Sequence, residues 1–229
     1  MTTPQNIAVS MVMIDLDGTL INTAPDLADC VNIMLERMGR EVWPLDKVSG
    51  WIGNGVSRLV KRALTDSMDG EPDSDDFEEG YALFLQAYGE NVSAKSRPYD
   101  GVVAGLDKLK DMGFHLACVT NKAEAFTLPL LADLKLDGYF ELVVSGDSLP
   151  HKKPDPLPLI YACEYFGISP EQGVLIGDSA NDVKAANAAG MPVICVNYGY
   201  NQGVDLTTLK TQGVIDSLDK LDQQLSLLN

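Results

Sequence analysis

The sequence predicts an α/β fold: a doubly wound parallel sheet with a Rossmann-like core, carrying one small inserted helical cap domain. Three observations lead there. Short apolar runs of strand character alternate with segments of helical period along most of the chain, and such alternation builds a parallel sheet with right-handed crossovers. One stretch, from about residue 22 to 96, breaks the alternation with helical patterns and no convincing strand. The length of 229 residues, with 45% hydrophobic and 22% charged, suits one large globular domain with a smaller insert. The expected organisation is an α/β core of residues 1–21 and 97–229 and a cap of residues 22–96.

The elements follow in order. Ile7 to Ile14 is a near-continuous apolar run ending in Asp-Leu-Asp-Gly, which reads as a buried parallel strand feeding a turn. The first cap helix is expected from Pro25, acceptable at a helix start, to Met38, with Gly39 as its stop. Val56, Leu59, Val60, Ala63 and Leu64 follow helical spacing, as do Phe77, Tyr81, Phe84, Leu85 and Tyr88. Between these helices, Asp66 to Glu79 holds many acids and no base; it reads as a solvated loop, and its spacing does not fit an EF-hand. Pro98, Asp100 and Gly101 mark the return to the sheet. Strands are then expected at Phe114–Val119, Leu142–Val144, Val174–Ile176 and Pro192–Val196. A polar, turn-rich Tyr198–Thr211, a short Gly213-Val214-Ile215 strand and a terminal helix would close the sheet edge.

Composition narrows the partners. A formal net charge of −16 repels phosphate backbones and acidic lipid surfaces, so neither nucleic acid nor membrane is expected. A small anion would need local positive charge or helix-end amides. Cys30, Cys118, Cys163 and Cys195 lack C-x-x-C spacing and read as buried thiols in a reducing cytosol. Met1 to Ser10 has no basic n-region, and no apolar run approaches the roughly 20 residues of a membrane span. A cytoplasmic protein, monomer or homodimer, is the expectation.

In open α/β sheets ligands gather at the carboxyl ends of the strands. The residues there are Asp15 with Asp17, Thr120 with Asn121, the loop holding Lys152 and Lys153, and Asp178 with Asp182. Two like charges about 4 Å apart repel by roughly 4 kcal/mol at an effective dielectric of 20, so clustering these four aspartates calls for a cation. Oxygen donors suit Mg2+, and no His or Cys set favours zinc. Asp15 is placed to attack phosphorus and Asp17 to serve as acid and base. Lys153, Thr120 and the amides after Asp17 would stabilise the transferring group, with Gly18 allowing close approach.

These residues resemble the haloacid dehalogenase superfamily of phosphohydrolases. Asp15-Leu16-Asp17-Gly18-Thr19-Leu20 is similar to its first motif, Val119-Thr120-Asn121 to its second, Lys153-Pro154 to its third and Gly177-Asp178-Ser179-Ala180-Asn181-Asp182 to its fourth. The resemblance implies Asp15 as nucleophile, Asp17 as acid and base, and Mg2+ held by Asp15, Asp178 and the Asp17 carbonyl, with Asp182 beside them. It implies substrate contacts from Gly18, Thr19, Thr120, Asn121 and Lys153. Asp17 favours phosphoryl chemistry over dehalogenation.

Trp51-Ile52-Gly53-Asn54-Gly55 and Lys152-Lys153-Pro154-Asp155-Pro156 resemble the branch acting on 2-phosphoglycolate. The expected partner is therefore a small phosphorylated metabolite. Pyrophosphatase, nucleotidase, sugar phosphatase, phosphoglucomutase and a binding module without turnover are the alternatives. Gly53, Asn54 and Gly55 would shape the underside of the cap. Arg58, with Lys61 and Arg62, forms either a partner for a substrate carboxylate or a solvated basic face. Trp51 either gates the site or packs in the cap, and His151 reads as a loop residue.

Overall fold

A computed structural model describes residues 6–201 and 203–228. Residues 1–5, the start of the stretch read above for its missing signal, lie outside the described residues.

The chain begins with β1 (Ile7–Val9) and β2 (Met11–Ile14), then β3 (Ile21–Asn22). Four helices follow: α1 (Ala24–Arg37), α2 (Leu45–Ser49), α3 (Val56–Thr65) and α4 (Ser74–Glu90). After β4 (Arg97–Pro98) come α5 (Val102–Asp111), β5 (His115–Val119), α6 (Glu124–Asp133) and β6 (Leu142–Val144). The chain continues through α7 (Leu157–Phe166), β7 (Gly173–Gly177), α8 (Ala180–Ala189) and β8 (Val193–Val196). It ends with β9 (Gly213–Ile215) and β10 (Leu225–Leu227).

Six strands form one parallel sheet in the order β6-β5-β2-β7-β8-β9. The strands are apolar nearly throughout because both faces are covered. Side chains alternate across β2: Val12 and Ile14 enter the core under α5, while Met11 and Met13 enter the core under α7 and α8. The doubly wound parallel sheet is therefore as the sequence predicts.

The expected strand Ile7–Ile14 is two strands. It breaks at Ser10, whose amide donates to the Gln172 carbonyl (2.7 Å) and whose carbonyl accepts from the His115 amide (3.1 Å). β1 then leaves the main sheet and pairs parallel with β10. The expected terminal helix is a 3₁₀ turn, Leu218–Gln223, which buries Leu218 and Leu221 against α5 before β10. The four cysteines are buried free thiols, and no described helix is long and apolar enough to cross a membrane.

Helices α1 to α4 pack around their own apolar cluster, in which Val31, Met34, Val60, Phe84 and Tyr88 are buried. Trp51 belongs to this cluster, edge-on to Trp43 with centroids 5.9 Å apart, and so packs rather than gates. The short helix α2 had no period long enough to announce it. The acidic segment is shorter than expected, since α4 begins at Ser74, and it is not merely solvated. Arg58 donates to Asp69 (3.1 Å) and Glu71 (2.7 Å), Lys61 to Glu71 (2.5 Å), and Lys47 pairs with Asp66. Arg62 is buried, donating to the carbonyls of Trp51 (2.6 Å) and Met68 (3.1 Å), so it belongs to no solvated face.

The two crossings to this helical segment are tied side by side. β3 and β4 pair antiparallel, Ile21 opposite Pro98 and Asn22 opposite Arg97. Asp26, buried in the first turn of α1, accepts from the amides of Lys95 (2.9 Å) and Ser96 (2.7 Å) and from the Ser96 hydroxyl (2.6 Å). Removing a buried carboxylate strands those donors. Asp26→Ala is expected to destabilise the protein by about 2–4 kcal/mol in urea unfolding; a loss below about 0.5 kcal/mol would show the tie to be incidental.

Candidate active site

β2 ends between β5 and β7, so the residues after all three strands converge at one edge. The Asp15 amide donates to the Ile176 carbonyl (2.9 Å), continuing the ladder one residue past β2. The chain then turns tightly through Leu16–Ile21, with Gly18 at φ 89°. A Cβ on Gly18 would overlap the Asp178 carboxylate and the Tyr200 ring, so glycine is required there for both conformation and space. Asp178 follows β7, and Ser179 with Asp182 forms the capping box that starts α8.

Asp15, Asp178 and Asp182 each offer a carboxylate oxygen within 4.8 Å of the others. Burial raises the Asp15 carboxyl above its ordinary range; Lys153 opposes this and Asp182 adds to it. Burial likewise raises Asp178, helped by the charges of Asp15 and Asp182. Lys153 sits among them, its ammonium 2.9 Å from Asp15, 2.7 Å from Asp182 and 2.6 Å from the Val119 carbonyl. Burial disfavours that ammonium, but the two carboxylates outweigh burial and raise its pKa. One ammonium among three carboxylates leaves the cluster short of positive charge, and its all-oxygen donor set fits a hard divalent cation such as Mg2+.

Asp17 stands apart from this group. Its carboxylate accepts from the Thr23 hydroxyl (2.8 Å) and from Lys122 (3.1 and 3.2 Å). The expected Asp17 metal contact is through its backbone carbonyl; its carboxylate lies outside the three-aspartate cluster, held by Thr23 and Lys122. Lys122 is buried and also lies 4.7 Å from the centroid of the Tyr88 ring. Burial disfavours its charge; Asp17 and Tyr88 together overcome that and raise its pKa.

A pocket above Asp15 and Asp17 is lined by Thr120, Asn121 and Lys122 from the sheet edge and by Leu27, Ile52, Gly53, Gly55, Val56 and Leu59 from the helical segment. Loop 53–55 is docked on the sheet edge through its carbonyls. Gly53 accepts from Asn121 (3.0 Å) and Asn181 (3.3 Å), and Asn54 accepts from Lys152 (3.1 Å). A Cβ on Gly55, at φ 85°, would lie 2.8 Å from the Lys152 ammonium.

Not every expected residue reaches this pocket. Arg58 lies outside its lining: it shares α3 with Val56 and Leu59 but projects from another face, toward Asp69 and Glu71. Thr19 is fully buried and its hydroxyl donates to Asp178 (3.1 Å), so it supports the carboxylate cluster instead of lining the pocket. Gly18 likewise packs under Asp178, and Asn54 contributes a carbonyl to Lys152. His151 is an exposed loop residue, as read. Lys122, Thr23 and Tyr200 were missed, and Asn181 was read only as part of the fourth motif. Lys122 carried one legible signal, a basic residue directly after Val119-Thr120-Asn121 at a strand end; Thr23 and Tyr200 carried none.

The fold and site define a hydrolase of the class that works with carboxylates at the edge of a Rossmann-like sheet. The family model for haloacid dehalogenase-like hydrolases matches residues 12–196, and the chain belongs to that family. The chain is 57% identical over 210 residues to a phosphoglycolate phosphatase of Thiobacillus denitrificans, covering 92% of each. It is 50% identical to one of Nitrosococcus oceani, covering 94% of this chain and 96% of the relative. A crystal structure of a predicted phosphoglycolate phosphatase from Haemophilus somnus superposes with a TM-score of 0.88 at 36% identity, covering 94% of this chain and 97% of that one.

The neighbouring lysines separate cleanly. Lys153→Ala is expected to lower kcat by at least about 10²-fold, since it removes the charge opposite Asp15. Lys152→Ala removes one contact to a loop carbonyl and should cost less than about tenfold; equal losses in steady-state assays would contradict the assignment. Lys122→Met, which keeps length and removes charge, should also lower kcat by roughly 10²-fold by freeing Asp17.

Proposed function

We propose that this protein is a magnesium-dependent phosphatase that hydrolyses a small phosphate monoester, 2-phosphoglycolate, through an aspartyl-phosphate on Asp15. One observation carries the reading. Asp15 belongs at once to the buried carboxylate cluster and to the pocket lining, with Lys153 beside it. A nucleophile needs that double position.

The Asp15 carboxylate attacks phosphorus in line with the leaving oxygen. The bond from phosphorus to the ester oxygen breaks, and Asp17 gives that oxygen its proton. A water then attacks the acyl phosphate, Asp17 takes the water's proton, and inorganic phosphate leaves with Asp15 restored. Thr23 and Lys122 hold the Asp17 carboxylate over the pocket. Lys153 offsets the charge of Asp15 as the anionic substrate arrives. Asp15, Asp178 and Asp182 would hold Mg2+, which when bound supplies neutralisation of the phosphoryl oxygens.

Residues 22–96 serve in this reading as the cap and residues 1–21 with 97–229 as the catalytic core. The apolar wall of Leu27, Ile52, Val56 and Leu59, closed by loop 53–55, favours a short leaving group over a nucleotide. The phosphoglycolate phosphatases named above, at 57% and 50% identity, support the particular substrate. The buried free thiols suit a cytoplasmic location.

Asp15→Asn keeps the size of the side chain and is expected to lower phosphate release by at least about 10⁴-fold with the fold intact. Excess chelator should abolish phosphate release and Mg2+ restore it; full activity in chelator would remove the metal from the mechanism. On the purified enzyme, kcat/KM for phosphoglycolate should exceed that for an uncharged phosphate ester of equal size by at least about tenfold, or roughly 1.4 kcal/mol. A smaller preference would retire this substrate and leave the phosphatase.

A further inference from the structure

The turn-rich segment after β8 carries no assigned role, yet it touches three parts of the molecule at once. The Tyr200 amide donates to Asp178 Oδ2 (2.5 Å). Its hydroxyl accepts from the Ala24 amide (2.8 Å) and donates to Asn22 Oδ1 (2.8 Å). Ala24 opens α1, where helix geometry leaves the amide without an intrahelical partner, and Asn22 ends β3. Tyr198 donates its hydroxyl to the Thr19 carbonyl (2.9 Å), and its ring lies 4.5 Å from that of Tyr99, just past β4.

Gly199 between them has no room for a side chain: a Cβ would overlap the Asp178 side chain and the Gly18 carbonyl. The loop backbone therefore lies directly on the carboxylate, and a shift of the loop is a shift of Asp178. Thr19 donates to Oδ1 and Tyr200 to Oδ2. Two donors, one on each oxygen, fix the rotation of the carboxylate and leave its remaining lone pairs for a cation shared with Asp15 and Asp182. Partners of this kind, one step behind the ligating atoms, govern how well a site holds its ion.

We propose that Tyr200 is a positioning residue: its backbone sets the orientation of Asp178 at the carboxylate cluster, and its hydroxyl anchors that orientation to Asn22 and Ala24, where the chain crosses to the helical segment. The proposal rests on the reading of that cluster as a Mg2+ site. It makes cation affinity depend on Asn22, whose side chain accepts from the tyrosine hydroxyl.

The test is calorimetric titration of the full chain with Mg2+ alone, for the wild type, Tyr200→Phe, Asn22→Ala and the double variant. Tyr200→Phe keeps the ring and the amide and removes the hydroxyl, with its contacts to Asn22, Ala24, Tyr99 and Thr23. Each single substitution is expected to weaken Mg2+ binding by roughly tenfold, and the double variant by no more than the weaker-binding single, because both cut one connection. Asn22→Ala leaves the tyrosine in place, so the test survives if Tyr200→Phe folds poorly. Affinities within about twofold of wild type for Asn22→Ala, or losses that add in the double variant, would overturn the positioning role alone. A wild type that binds no Mg2+ would overturn both this proposal and the metal-dependent function.

Discussion

Crowding of negative charge at the carboxyl edge of the sheet is the constraint around which the molecule is organised. Three carboxylates, two buried and that of Asp15 partly so, lie within 4.8 Å of one another, and like charges about 4 Å apart repel by roughly 4 kcal/mol at an effective dielectric of 20. The surroundings oppose that cost from every side. Lys153 bridges Asp15 and Asp182, the Ser179 amide and hydroxyl donate to Asp182, and Thr19 and Tyr200 donate to Asp178. The strand order allows this, because β2 lies between β5 and β7 and brings their three ends together. A binding free energy for a cation is stored in the same crowding: a site built to be short of positive charge favours whatever supplies it.

Asp15 and Asp17 are two residues apart and chemically alike, yet their environments diverge. Asp15 sits partly buried among like charges and one ammonium. Asp17 faces a hydroxyl and a lysine of its own, away from the cluster. Two identical acids placed in different surroundings can take different roles, one as nucleophile and one as proton carrier. The second environment is partly built by the helical segment, since Thr23 precedes α1 and Tyr88 on α4 lies against Lys122. The helical segment thus completes the site, in addition to covering it.

Its contact with the core combines side-chain packing, such as Tyr88 against Phe126, with a backbone loop at the pocket. Loop 53–55 presents carbonyls to Asn121, Asn181 and Lys152, with glycine at both ends at positive φ. Carbonyl contacts to two side-chain amides and to an exposed ammonium can be made and broken without stranding a buried ion, which suits a surface that opens for substrate and product. The basic side chains of α3 are instead occupied by the acidic segment that follows it. These pairs are exposed and screened by solvent, so each is weak, but they keep Arg58 turned away from the pocket.

The sequence by itself determined the alternation of strands and helices, the interruption by a helical segment, and the identity of the acids and the lysine at strand ends. Apolar period and strand-end position are local properties, and the residues after Ile14, Val119 and Gly177 could be read without knowing their neighbours. The break at Ser10 and the departure of β1 to β10 could not, because one apolar run pairs equally well with either set of strands until the chain end arrives. Nor could the direction of Arg58, the pairing of Lys122 with Asp17, or the reach of Tyr200 from Asp178 to Asn22 be read in advance. Tyr200 and Asn22 are 178 positions apart, and no pattern along a chain encodes which distant donor will meet which acceptor. Only the tertiary structure decides that, because burial leaves each polar atom to find its partner among whatever the packing brings within about 3 Å.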